Sequence, residues 1–178
     1  MNAYIFHGTE GNPQENWFPW LAAELEKRGV ETTVPQLSNP DYPDLNTWLA
    51  DVSSFKTGPD TILIGHSLGA VLILRMLERG HHAKRVYLCA PFLHDLGWKV
   101  LEESFFFSDD FDWDTIKKHC PRFEILASAN DPHVPLEDVD KVARGLGVEM
   151  QTIDIEKHFN AKEFPYLLER VVKNLDMI

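Results

Sequence analysis

Short apolar runs alternate along the chain with stretches of helical periodicity. Six runs, Ala3 to His7, Glu31 to Val34, Thr61 to Gly65, Arg85 to Ala90, Phe123 to Ser128 and Glu149 to Asp154, are rich in Val, Ile, Leu and Tyr and predict strands. Several are almost continuously apolar, the pattern of central strands in a parallel sheet covered on both faces. Between them, Trp17, Trp20, Leu21 and Leu25 recur at about 3.6-residue spacing before Gly29. Leu68 to Leu77 is apolar almost throughout and predicts a buried helix beside the central strands. Asp138 to Leu146 and Ala161 to Leu175 predict two amphipathic helices, the second closing the chain. Repeated strand-helix units joined by right-handed crossovers predict an α/β chain with one mostly parallel sheet of six strands.

The stretch from Phe92 to Cys120, with Trp98, Phe105, Phe106, Phe107, Phe111 and Trp113, is longer than an ordinary strand-to-helix connection. It predicts a partly helical excursion lying over a site. No Pro, Gly or Ser tract separates it from the remainder, and 178 residues suit a single domain spanning 1–178.

Composition adds exclusions. At 44% hydrophobic and 25% charged residues the chain reads as globular. A formal net charge of -11 opposes binding to nucleic acid or an anionic membrane surface, both of which require clustered Lys and Arg. No segment is apolar for long enough to span a bilayer, and Met1 to Gly8 lacks the basic start of a secretory signal. Cys89 and Cys120 are too few for a disulfide framework and read as reduced core thiols. These features together predict a cytoplasmic location.

The candidate chemistry centres on Gly65-His66-Ser67-Leu68-Gly69, which follows an apolar strand and opens the buried helix. Gly-x-Ser-x-Gly is the nucleophile-elbow pattern: the turn crowds the backbone, so glycines flank it, and the serine hydroxyl is lifted above the sheet edge. Such a pattern arises by chance in roughly one in twenty chains of this size, and a tight structural turn is the competing reading. Its placement between strand and helix favours Ser67 as a nucleophile.

A serine hydroxyl needs an imidazole to take its proton. Of eight histidines, His158 lies after the last predicted strand and before the closing helix, where the base of a Ser-Asp-His order belongs. His81, His82 and His119 fall at helix ends, while His7, His66 and His133 read as loop or supporting residues. The acid belongs after a late strand; Asp131, in Asn130-Asp131-Pro132-His133-Val134-Pro135, is the leading candidate and Asp95 its rival. The amide of Leu68 and one from the loop His7 to Pro13, assigned to Thr9, would hold an oxyanion. That loop lacks the Gly-Lys-Ser/Thr ending of a phosphate-binding loop and the Gly-x-Gly-x-x-Gly fingerprint, which argues against a nucleotide. No Cys/His cluster has metal-ligand spacing, so neither metal nor organic cofactor is expected.

The early Gly-containing loop followed by a Trp-rich helix, Gly-His-Ser-Leu-Gly, Asp131-Pro132 with Val134-Pro135, and His158-Phe159-Asn160 resemble the small serine hydrolases related to retinoblastoma-binding protein nine and to bacterial YdeN-like proteins. The resemblance spans nearly the whole chain. It implies a compact α/β-hydrolase fold with little or no lid, and supports Ser67, Asp131 and His158 by position. The substrate it implies is a small carboxylic ester or amide. Two departures stand out. Lys157 occupies a position where many relatives have Gly, and no Leu-x-Cys-x-Glu signature surrounds either cysteine, so a retinoblastoma-protein partnership does not carry over. A noncatalytic binding protein on the same fold, or an acyltransferase or thioesterase, are the alternative functions; the expected partner is a small-molecule ester or amide, and protein partners stay open. Asp109, Asp110, Asp112 and Asp114 in the aromatic excursion could form an acidic rim favouring a neutral or cationic ligand, but the preferred reading is aromatics packed as core and aspartates as a solvated face.

Overall fold

A computed structural model describes residues 1–155 and 157–175. Its six strands, β1 (Asn2–Phe6), β2 (Glu31–Thr33), β3 (Gly58–His66), β4 (Ala83–Cys89), β5 (Phe123–Ser128) and β6 (Met150–Ile153), form one sheet in the order β2-β1-β3-β4-β5-β6. Every pairing is parallel. The chain moves outward from β1 to β2, then returns to the other side of β1 for β3. A reversal of this kind opens a crevice at the carboxyl ends of the two diverging strands.

The helices are α1 (Phe18–Glu26), α2 (Leu45–Val52), α3 (Leu68–Glu78), α4 (Lys99–Glu102), α5 (Trp113–His119), α6 (Leu136–Leu146) and α7 (Pro165–Lys173). They fall into two packed groups, α1 with α7 and α2, α3, α5 and α6 in succession, as layers on the two faces of a parallel sheet must. The central helix α3 is buried from Leu68 to Leu77, which explains its lack of a polar face.

Element boundaries shift by up to four residues from the sequence expectation, with β3 starting at Gly58, β4 at Ala83 and α6 at Leu136, and one helix is new. The helix α2 was not anticipated, because its eight residues lie among Pro, Asn and Asp; its signals are Leu45, Trp48 and Val52, all buried, and the Asp44 carboxylate accepting from Thr47 N at 2.8 Å as its cap. The closing helix starts at Pro165 rather than Ala161, since proline favours the first turn of a helix and the residue before it avoids helical geometry. The strand β4 ends at Cys89 because Ala90 turns to φ 51°.

The aromatic excursion is fastened from below. Arg75, in the middle of α3 and 3% exposed, donates from Nε and Nη2 to the Phe106 carbonyl at 2.9 and 2.7 Å and from Nη2 to the Asp109 carbonyl at 2.6 Å. It also pairs with Glu78 at 2.8 Å, and its guanidinium lies 3.7 Å from the centre of the Phe111 ring. A buried guanidinium must satisfy its donors, and loop carbonyls do so here. Phe106 is fully buried against Trp48, Phe107, Phe111 and Trp113 pack half-buried on the core, and Trp98 and Phe105 are exposed. No helix among the described residues is long and apolar enough to cross a membrane.

Candidate active site

The turn after β3 is built by close packing. A Cβ on Gly65 would come within 2.5 Å of Ala70 Cα, and one on Gly69 would strike the backbone carbonyls of Phe6 and His7. Both positions therefore exclude any side chain. Ser67 between them takes φ 55° and ψ -125°, a strained conformation for a residue with a Cβ, held by its own amide donating to Cys89 O at 2.9 Å. Gly8, at the end of β1, approaches so closely that its Cβ would meet Ser67 Cβ at 2.8 Å. The first loop and the serine turn thus touch across the crevice between β1 and β3.

That crevice is a cleft of about 290 Å³ whose lining includes Gly8 to Gly11, Ser67, His66, His158, Asn160, Trp98 and His133. Its charged side chains among the described residues are two carboxylates, Glu10 and Glu15. The four aspartates of the aromatic excursion lie elsewhere: Asp109 and Asp110 border a separate hollow with Phe107 and Trp113, and Asp112 caps α5. They do not rim this cleft. From the excursion only Trp98 reaches it, its ring 5.4 Å from that of His133.

His158 reaches the cleft from the loop after β6, and its Nδ1 donates to Asp131 Oδ2 at 2.7 Å. The side chains are 13% and 2% exposed, so water competes little for this bond. The second Asp131 oxygen accepts from the amides of His133 and Val134 at 2.9 and 3.0 Å, which fixes the carboxylate on the Asp-Pro loop. Burial pushes the Asp131 carboxyl up, but the His158 imidazole and these two amides outweigh it and hold its pKa below the ordinary value. Asp95 makes no such contact; its carboxylate accepts from Gly97 N at 2.7 Å in a local turn.

With Nδ1 engaged, Nε2 of His158 is the ring nitrogen left for the cleft. Among the described residues no hydrogen bond yet joins Ser67 Oγ to it, and such bonds commonly tighten only with substrate bound. Leu68 and Thr9 occupy the expected positions, opening α3 and lining the cleft, and among the described residues neither amide donates to a protein acceptor.

The other histidines divide by role. His7 is fully buried; it accepts from Leu37 N at Nε2, 3.1 Å away, so its Nδ1 is the donor to Gly8 O at 2.9 Å. Burial lowers its pKa, and the neutral ring braces the first loop. His66, 5% exposed, contacts the carbonyl of His158 through Nε2 at 2.9 Å, a partnership across 92 residues that sequence alone did not suggest. His119 caps α3 by bonding Leu77 O at 2.6 Å, far from Ser67.

The serine hydrolase family profile matches residues 3–176. The chain belongs to the serine hydrolase family. It is 29% identical over 177 residues to the Rattus norvegicus protein named serine hydrolase RBBP9, covering 97% of this chain and 94% of that one. It is 30% identical over 162 residues to a Bacillus subtilis hydrolase designated YdeN, covering 88% and 84%. The crystal structure of the B. subtilis ydeN product superposes with a TM-score of 0.90 at 25% identity, covering 98% of both chains. Est1E of Butyrivibrio proteoclasticus, solved with ferulic acid bound, superposes with a TM-score of 0.75 at 16% identity, covering 98% of this chain and 87% of Est1E, which speaks to fold alone. The protein is therefore an α/β hydrolase, with an esterase-like activity expected of this family.

Proposed function

We propose that this serine hydrolase cleaves small carboxylic esters or amides through a Ser67-Asp131-His158 triad and an acyl-enzyme. The observation that carries the reading is the buried 2.7 Å bond from His158 Nδ1 to Asp131, which leaves Nε2 for the cleft that Ser67 lines. Asp131 stabilises the tautomer with a proton on Nδ1 and the imidazolium that forms in the reaction. Nε2 accepts the Ser67 proton as Oγ bonds to the substrate carbonyl carbon. The carbonyl oxygen becomes an oxyanion facing the amides of Leu68 and Thr9, whose hydrogens are otherwise unclaimed among the described residues. The proton on Nε2 passes to the leaving alcohol or amine as its bond to the acyl carbon breaks. Water, deprotonated by the same imidazole, then releases the acid and restores Ser67.

Glu10 and Glu15 make the cleft unfavourable for a substrate bearing its own carboxylate, so a neutral or cationic ester fits it better. The two cysteines are unpaired and buried, in keeping with a reducing, cytoplasmic setting. A fluorophosphonate probe, with adduct mapping by mass spectrometry, tests the chemistry. Labelling is expected at Ser67 in the wild type and in neither Ser67→Ala nor His158→Ala; a folded wild type that stays unlabelled overturns the reading.

A further inference from the structure

Ser67 is held largely by the turn in which it sits, whereas among the described residues the hydrogen bonds of His158 reach it from remote segments. It stands between Lys157 and Phe159, with φ values of 42° and 56°. Both are in the left-handed region that residues with side chains avoid, and a loop so strained persists only where tertiary contacts over-determine it. The Asp131 carboxylate grips the ring of His158 but leaves its backbone free. Among the described residues the backbone is anchored at Phe159, fully buried with its ring 5.6 Å from Phe164, and at the His158 carbonyl, bonded to His66 Nε2 at 2.9 Å.

A carbonyl oxygen only accepts, so Nε2 of His66 carries the proton. The ring is enclosed by Trp17, Phe18, Phe159 and the His158 imidazole, the last 4.7 Å away between ring centres. Burial, reinforced by the neighbouring His158, pushes the His66 pKa down to about 3. The ring therefore stays neutral near pH 7, where one nitrogen must be a donor and the other an acceptor. His66 also ends β3, one residue before Ser67, so its bond ties the strand bearing the serine to the loop bearing the imidazole.

We propose that His66 is a positioning residue: as an Nε2–H donor to the His158 carbonyl, it keeps the strained His158 loop in register with Ser67. The inference rests on the triad reading above. It is tested on the full chain by comparing wild type with His66→Gln and His66→Asn, measuring kcat and KM for a small neutral ester and the rate of fluorophosphonate labelling. Glutamine sets an amide N–H at the position of Nε2, whereas asparagine reaches only to that of Nδ1, so the two variants match in polarity and differ in reach.

The Gln variant is expected to keep kcat within about fivefold, and the Asn variant to lose about 10²-fold in both kcat and labelling rate while KM changes by less than about threefold. His66→Phe, which keeps a ring without the donor, is expected to match Asn and replaces it should Asn fail to fold. Equal kcat for Gln and the donor-free variant, or a loss confined to KM, overturns the positioning role. If wild type is labelled at Ser67 while this happens, the triad reading survives; an unlabelled wild type removes both.

Discussion

The serine turn and the imidazole loop face each other across one cleft yet are stabilised in opposite ways. Ser67 sits in a five-residue turn whose two glycines admit backbone contacts with Ala70, Phe6 and His7 that any Cβ would forbid, and one amide bond to Cys89 O completes its support. His158 owes its place to partners 27 and 92 residues away, Asp131 and His66, acting on a loop with strain on both sides. A local steric device can be written into a short motif. A loop held by distant hydrogen bonds cannot, and it is correspondingly easier to disturb without unfolding the molecule.

The comparison breaks most sharply at the acid. Asp131→Asn is expected to lower kcat about 10³- to 10⁴-fold for a neutral ester, because an amide cannot stabilise the imidazolium, while circular dichroism stays native. Asp95→Asn is expected to leave kcat within about twofold; the reverse ranking would move the acid to the other loop.

Stability against pH separates the loops next. His66 is neutral in the folded protein down to about pH 3, but in the unfolded chain it takes a proton near its ordinary value. A base with a depressed folded pKa binds more protons when unfolded, so stability falls as pH drops from about 6.5 toward 3. Urea denaturation between pH 7 and 5 is expected to show a loss approaching about 1.4 kcal/mol per unit from His66, with a further contribution of the same sign from buried His7. His66→Gln should flatten that slope; an unchanged slope would mean that His66 is not the buried neutral ring.

On the serine side, Gly65→Ala forces the backbones at Gly65 and Ala70 apart and is expected to cost about 1–3 kcal/mol in urea denaturation, with activity lost at the same time. A variant as stable as wild type would show that the turn can yield. The smallest effect belongs to the imidazole loop: Lys157→Gly places glycine where φ is 42°, and stability should rise by about 1 kcal/mol with little change in KM. A lower melting temperature would instead assign the lysine a contact that offsets its strain.

These contrasts explain which parts could be read from the chain. The β3 to α3 unit was legible because an apolar strand, Gly-x-Ser-x-Gly and an apolar helix are consecutive and each pattern has a steric cause. The expectation of a mostly parallel sheet was equally direct, since short β-branched apolar runs alternating with longer helical stretches suit strands covered on both faces. By contrast, α2 was hidden: Leu45, Trp48 and Val52 have helical spacing, but only eight residues carry it, and its stability comes from packing. The aspartates of the aromatic excursion left open an acidic rim beside the preferred solvated face, because sequence cannot say which way a loop folds. Arg75 pulls Phe106 and Asp109 onto α3, and the acidic lining of the Ser67 cleft comes from Glu10 and Glu15 instead.

The sequence by itself determined the strand-helix alternation, the serine turn and the order in which serine, acid and histidine candidates follow one another, because each depends on neighbouring residues or on chain direction. Only the tertiary structure decided that Asp131 rather than Asp95 meets His158, that Lys157 and Phe159 carry strain, and that His66 reaches the His158 carbonyl. Those facts are hydrogen bonds and dihedral angles between segments remote in sequence, and they come into existence only when the sheet sets the carboxyl ends of β3, β5 and β6 along one edge.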